Sequence, residues 1–343
     1  MHTPLTLVGT YGSPYSIKMR AVMRYRRIPF TWVLQNTPQE AALPRPNVAI
    51  IPVLGFPDAS GEVVEVMVDS TPQMARLESM YSGRSLVPTD PVVAFLSLLV
   101  EDYGDEWLTK AMSHSRWYPA ESIERAGVLL PTWPLLHESD EKLERVGNFF
   151  VDRQVGRRAL VGSTETNAPI IESSYVRLLR LLDRHIEAQD FLFGDRPANG
   201  DFGLFGQLSQ LAIIEPPSSR LCITEGRRVY SWVNRVDDLS WWPVEGDGGW
   251  CDRDGLHLGT LRPLLAEIGA TYAPFMLGNA AALGAGEAEM SCEIEGMEYR
   301  QAAFPYQGKT LGWLRDDHAA LSISDRAAVD AILADTGCDR LFA

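Results

Sequence analysis

Strand-forming runs occur only in residues 5–68 and in one hairpin after residue 285; the stretch between reads as helix. Within the first block the order is tight. Leu5–Gly9 is a short apolar β-rich run, and a helical pattern follows with Ile17, Ala21, Val22 and Tyr25 on one side. Ser13 ahead of Pro14 is the expected helix start, because a serine oxygen accepts from free backbone N–H groups and proline tolerates the first turn. Phe30–Leu34 reads as the second strand and, beyond a connection holding Pro38, Pro44 and Pro46, Ile50–Phe56 contains the third. The turn Asp58–Gly61 joins it to Glu62–Val68 as an antiparallel hairpin, and Asp69-Ser70 opens a helix through Met74, Leu77 and Tyr81. The order is βαβ followed by ββα, which is the thioredoxin-like layout.

Ser82–Pro91 breaks the composition and reads as a linker. Helices are expected over Pro91–Ser113, Glu141–Ala159, Ile170–Ala188, Gly200–Ile214, Gly226–Val236 and Leu261–Ala282. A hairpin turning at Glu295-Gly296 and two helices, Gln307–Leu321 and Ser324–Asp335, complete the chain. We therefore expect an α/β domain at 1–82, an all-α domain at 91–284 and an extension at 285–343 packed on the helical domain. A length of 343 residues, 45% of them hydrophobic, suffices for two cores.

The charge narrows the partners. With 31 Lys and Arg against 45 Asp and Glu the net charge is −14, which disfavours nucleic acid or an anionic membrane and favours a small molecule or a protein. Met1-His2-Thr3-Pro4 does not read as a secretory signal, and the longest lipid-like run, Val92–Val100, falls far short of the roughly 20 residues of a membrane helix. The expected location is cytoplasmic. Cys222, Cys251, Cys292 and Cys338 have neither disulfide nor zinc spacing and read as buried small residues. His2, His114, His137, His185, His257 and His318 have no ligand spacing, so no metal site is expected. The acidic run Glu101–Trp107, on a helix near the domain interface, reads as a solvated face, with the lining of a pocket there as the alternative.

Four segments, in order, resemble the cytosolic glutathione S-transferase superfamily, in a serine-type bacterial branch with a C-terminal extension. They are Ser13–Phe30 (SPYSIKMRAVMRYRRIPF), Ile51–Leu54 (IPVL), Val68–Thr71 (VDST) and Phe191–Phe202 (FLFGDRPANGDF). The resemblance spans roughly residues 5–240. It implies a thioredoxin-like glutathione-binding domain, an all-α C-terminal domain, a cis peptide bond before Pro52 and a homodimer. It also implies an enzyme with no bound cofactor, glutathione as co-substrate and a small hydrophobic electrophile as second substrate.

The same resemblance assigns roles. Pro52 and the main chain of Val53 would align the cysteinyl part of glutathione, while Asp69 and Ser70, at a helix N-terminus, would hold its γ-glutamyl end. Ser13 would hold the sulfur as a thiolate, with Tyr11 as runner-up. Lowering a thiol pKa from about 8.5 by about two units requires roughly 2.7 kcal/mol. One charged hydrogen bond contributes about 1.5–3 kcal/mol and a helix N-terminus about 0.3–1 more, so one hydroxyl suffices. Neither Ser13 nor Ser16 can form a mixed disulfide, which disfavours disulfide exchange at this motif.

Two departures stand out. Ala198 replaces the family's Ser or Thr ahead of Asp201, and Asn47–Ile51 (NVAII) lacks the Lys or Gln that meets the glycyl carboxylate. Arg45 and Gln39 of the preceding loop are the available substitutes. The alternative reading is a non-catalytic binding or scaffold protein of the same fold, in which the extension fills or covers the pocket.

Overall fold

The structure, a computed structural model, describes residues 3–244, 246 and 248–343, so His2 lies outside the described residues. β1 (Leu5–Gly9), α1 (Pro14–Tyr25), β2 (Phe30–Leu34), the single turn α2 (Pro38–Ala41), β3 (Val53–Pro57), β4 (Val63–Val68) and α3 (Ser70–Met80) form a thioredoxin-like domain. α1 carries the chain back, so β2 pairs parallel to β1, whereas β3 and β4 add antiparallel in the order β2-β1-β3-β4. Alternation along the strands sends Leu5, Leu7, Leu54 and Phe56 into one core with Ile17, Val22, Met74 and Leu77 of α1 and α3.

α4 (Pro91–Tyr103) runs through a π-helical turn at Gly104–Leu108 into α5 (Thr109–Trp117). α6 (Ala120–Leu129), α7 (Asp140–Val155), α8 (Ala168–Ala188) and α9 (Asn199–Leu208) follow, α9 ending in a second π turn at Ser209–Ile214. α10 (Pro216–Glu225), α11 (Arg227–Val236) and α12 (Leu258–Ala285) complete the helical domain. α6 and α10 have no counterpart in the sequence reading, for identifiable reasons. α10 opens on Pro216-Pro217, a loop signal that serves equally well as a first helical turn. α6 meets α7 backbone against backbone: a Cβ on Gly147 would stand 2.1 Å from the Gly127 carbonyl oxygen, so small residues replace an apolar stripe at the contact.

The extension consists of the hairpin β5 (Glu289–Ile294) and β6 (Met297–Ala302), then α13 (Pro305–Ala320) and α14 (Ile323–Leu333). Tyr299 of the hairpin packs on Trp107 and on Phe275 of α12. His318 of α13 packs on Phe95 of α4. Arg253 ties Asp90, the N-cap of α4, to Asp325 of α14 at 2.9 and 2.7 Å. Cys222 and Cys338 are buried and Cys251 and Cys292 half-buried, all four as free thiols. Among the described residues no helix is long and apolar enough to cross a membrane.

The segment ahead of α9 shows how Ala198 is accommodated. Asp201 accepts from the Ala198 N–H and from the Leu192 N–H, both at 2.9 Å, so the carboxylate half of the cap stands and also pins the preceding loop. Beside it His185 is fully buried, its Nδ1 2.9 Å from Thr260 Oγ1 and its Nε2 3.0 Å from the Leu192 carbonyl. Burial pushes this imidazole down to about 4. A group depressed in the folded state contributes stability above its unfolded pKa of about 6.5 and loses it as pH falls through the folded value. Urea unfolding from pH 7 to pH 4 should therefore show a loss of about 3 kcal/mol that His185→Gln lacks.

Candidate functional site

Strand register brings the three implied site segments to one end of the sheet. Val8 at the end of β1 lies opposite Val53 at the start of β3, which in turn lies opposite Val68 at the end of β4. The chain leaves β1 toward Ser13, enters β3 through Ile51-Pro52 and leaves β4 into Asp69-Ser70. The Ile51–Pro52 bond is cis. Gln73 of α3 locks these segments together, donating to the carbonyls of Pro52 and Met67 at 3.0 and 2.7 Å.

Val53 itself lies between two strands, with β1 on one side and β4 on the other. Its main-chain polar groups therefore face protein. On the other side of the cis bond, Ile51 lies outside the strands, and it lines one cavity together with Val53.

Ser13 is the N-cap of α1, and its Oγ accepts from the Ser16 N–H at 3.2 Å. A hydroxyl has one donor and two acceptor positions, so this cap leaves the O–H free to donate at the helix start. Ser16, by contrast, is fully buried with its Oγ unpartnered among the described residues. Tyr11 is committed to an aromatic cluster. Its ring lies 6.0 Å from Trp32 and 5.9 Å from Trp133, with the Arg20 guanidinium 5.1 Å above it. The Gly12 that follows is covered by the segment after α6: a Cβ there would meet Trp133 at 2.6 Å and Leu130 at 2.9 Å. Arg116 donates to the Gly12 carbonyl while bonding Glu215 and Gln210, which anchors the loop to the helical domain.

Asp69 takes φ +80°, a left-handed conformation that a non-glycine residue adopts only when its surroundings impose it, and such positions cluster at ligand sites. It makes no side-chain cap to its own helix. Its Oδ2 accepts instead from the hydroxyl of Tyr306, at 2.7 Å, from α13 of the extension. Burial, then this contact with Asp69, push the Tyr306 hydroxyl far above its ordinary range, so it remains a donor. Ser70 is buried and its Oγ accepts from Lys18 Nζ at 3.3 Å, which leaves the serine O–H free to donate.

Lys18 corrects the reading of the acidic run. Glu101, Asp105 and Glu106 are buried rather than solvated, and Lys18 is wholly enclosed, 2.7 Å from Glu101 and 2.6 Å from Asp105. Burial opposes the Lys18 charge, but the two carboxylates outweigh it and hold the amine protonated. Thr71 of α3 donates to Glu101, and Tyr15 donates to the Asp105 carbonyl at 2.8 Å, so the cluster joins α1, α3 and the π turn. Asp102 accepts a short hydrogen bond from Tyr272, and burial followed by the charge of Glu106 raises its carboxyl well above the usual range. Burial lowers Lys110 to about 8, with Glu106 opposing. The sequence signal for this cluster was the single Lys18 of the first motif. The acidic run itself was visible, but nothing local linked it to Lys18, more than 80 positions away.

Two cavities flank the site. One, of about 640 Å³, is lined by Val8, Asn36, Arg45, Ile50, Ile51 and Val53, so it adjoins the cis bond and contains Arg45. The other, of about 680 Å³, lies between β2 and residues 133–138 and is lined by Trp32, Gln39, Trp133, Leu136 and His137. Neither includes Ser13, Asp69 or Ser70 among its lining residues.

A thioredoxin-like domain joined to a helical domain, with a cis-proline strand entry and a polar helix start at one sheet end, is the glutathione-transferase arrangement. Residues 7–85 match the family model of the glutathione S-transferase N-terminal domain. The N-terminal domain is thus similar to that of the glutathione S-transferases. No curated protein matches it. Similar solved structures include a GST-like protein from Pseudomonas syringae, with 16% identity, a TM-score of 0.45, and coverage of 76% of this chain and 74% of that one. The Tau class glutathione S-transferase of mango, Mangifera indica, has 16% identity and a TM-score of 0.39, over 71% and 94% of the two chains. A glutathione S-transferase from Methylobacterium radiotolerans, in complex with glutathione sulfonate, has 19% identity and a TM-score of 0.36, over 67% and 93%.

Proposed function

We propose that this protein binds glutathione at the sheet end shared by Ser13, Ile51-Pro52 and Asp69-Ser70, and conjugates it to a hydrophobic electrophile. The observation that carries the reading is the pairing of a free hydroxyl donor at one helix start with a positive-φ acidic residue and a serine that accepts from Lys18 at another. The donor suits a thiolate; the acid and the serine suit the ammonium and carboxylate of a γ-glutamyl group. The peptide would run along Ile51 rather than Val53, since Val53 is paired on both sides. Ser13 acts as a hydrogen-bond donor to the substrate's sulfur, and the thiolate supplies the electron pair that forms the new carbon–sulfur bond as the electrophile's leaving group departs. The aromatic cleft at Trp32 and Trp133 is where an apolar electrophile would lie.

Calorimetric titration tests this directly: binding at micromolar to low-millimolar glutathione is expected, and none at 10 mM would end the proposal. Arg45 lines the cavity beside Ile51 and is the cation available to the glycyl carboxylate. Arg45→Ala should weaken glutathione about tenfold, the size of one charged hydrogen bond, whereas Gln39→Ala should not.

The second reading, a binding protein without turnover, is favoured by Leu130 and Trp133 packing on Gly12 next to Ser13. A turnover assay with an aryl halide separates the two, since binding without conjugation selects the second. On either reading the protein acts in the cytoplasm, and the homodimer is tested by sedimentation.

A further inference from the structure

The extension reaches the proposed site at two adjacent residues. Tyr306 and Gln307 lie in the first turn of α13, and both side chains turn toward acids of the site although more than 200 positions separate them in sequence. Tyr306 donates to Asp69. Gln307 is 6% exposed and donates through its amide to Glu106, whose carboxyl burial raises despite the opposing influence of Lys110 and of this bond. Glu106 also feels the Asp69 charge, so the two acids lie near one another. The Gln307 amide oxygen is left with no partner among the described residues. A buried acceptor of this kind carries a desolvation penalty unless a donor arrives. The one cation of this helix turn is directed elsewhere: Lys309 Nζ sits 4.4 Å above the ring of Trp313.

We propose that α13 of the extension completes an ammonium subsite, in which Asp69, Glu106 and the free Gln307 oxygen receive the primary amine of a γ-glutamyl ligand and Tyr306 orients Asp69. The subsite rests on the glutathione reading above and adds to it a part of the chain that the N-terminal domain lacks. Asp69 is able to serve both groups, because an ionised carboxylate has about four acceptor positions and Tyr306 takes one. An ammonium group brings three donors, matching the three acceptors. Tyr306 is a positioning residue here: it touches the carboxylate, and the carboxylate touches the ligand.

The test compares glutathione with N-acetyl-glutathione, which keeps every group except the free amine, by calorimetry on the full-length protein. Wild type should prefer glutathione at least tenfold. Tyr306→Phe and Gln307→Leu should each weaken glutathione by about fivefold to tenfold and leave N-acetyl-glutathione unchanged. Lys309→Ala, on the same turn but directed to Trp313, should alter neither, and thermal melts identify any variant that fails to fold. Equal losses for both peptides would mean that α13 is merely structural, and tighter glutathione binding by Tyr306→Phe would mean that the tyrosine competes with the ligand. Either result overturns the subsite while leaving the glutathione reading intact. Absence of binding by wild type to either peptide overturns both.

Discussion

Ser13→Ala is expected to lower kcat/KM for glutathione with an aryl halide by about 10- to 100-fold, the rate equivalent of one hydrogen bond to a charged sulfur. Thiolate absorbance of the bound tripeptide should titrate about one to two units higher than in wild type. The change also removes the α1 cap, at a cost of about 1 kcal/mol of stability, because the Ser16 N–H loses its acceptor. Ser13→Asp separates the two roles. Aspartate keeps an acceptor for Ser16 but offers the sulfur a negative charge instead of a proton, so stability should hold while thiolate formation fails. If Ser13→Ala leaves the titration unmoved and glutathione still binds, the donor is another group and Tyr11→Phe is the decisive variant. That outcome would require the Tyr11 ring to leave its place between Trp32 and Trp133 or its hydroxyl to reach the sulfur from there.

Lys18→Met should destabilise the protein by about 3–5 kcal/mol, read from urea unfolding at pH 8. The lysine is wholly buried between Glu101 and Asp105, and removing one partner of such a group strands the remaining charges. The loss should shrink toward acid pH. Burial already raises Asp105, and without Lys18 nothing pulls it back. A carboxyl raised in the folded state contributes stability below its unfolded pKa and loses it as pH rises through the folded value, so the variant is weakest at high pH. Replacing Lys18, Glu101 and Asp105 together by apolar residues of similar size should restore most of the loss. Methionine at 18 also leaves Ser70 without its donor neighbour, so glutathione affinity should fall even where the protein stays folded.

Much of the N-terminal domain was legible because its signals are local. Leu5–Gly9 and Phe30–Leu34 are short apolar runs, Ser13-Pro14 is a helix start, and Asp58–Gly61 is a hairpin turn, each expressed within a few residues. The helical domain was legible where an apolar stripe faces a core, as along α8, and illegible where glycine backbones touch, as between α6 and α7. For the candidate site, Ser13 and Asp69-Ser70 were named only through the family resemblance, since a serine or aspartate at a helix start is otherwise an ordinary cap. The acidic run Glu101–Trp107 could not be placed, since a charged helical segment reads as solvated unless its counter-ion is known. Its counter-ions, Lys18 and Lys110, belong to α1 and to the α5 turn, and only the packing of those helices against one another buries all of them together.

By itself, then, the sequence determined the order of strands and helices, the two polar helix starts and the acidic excess, because propensity, capping and charge are properties of neighbouring residues. The tertiary structure decided what those groups face: that Val53 is paired on both sides, that Lys18 backs Ser70, and that Tyr306 of α13 meets Asp69 across 237 positions. Such contacts depend on strand register and helix packing, where a displacement of one residue turns a side chain from ligand to solvent, and no local pattern encodes that.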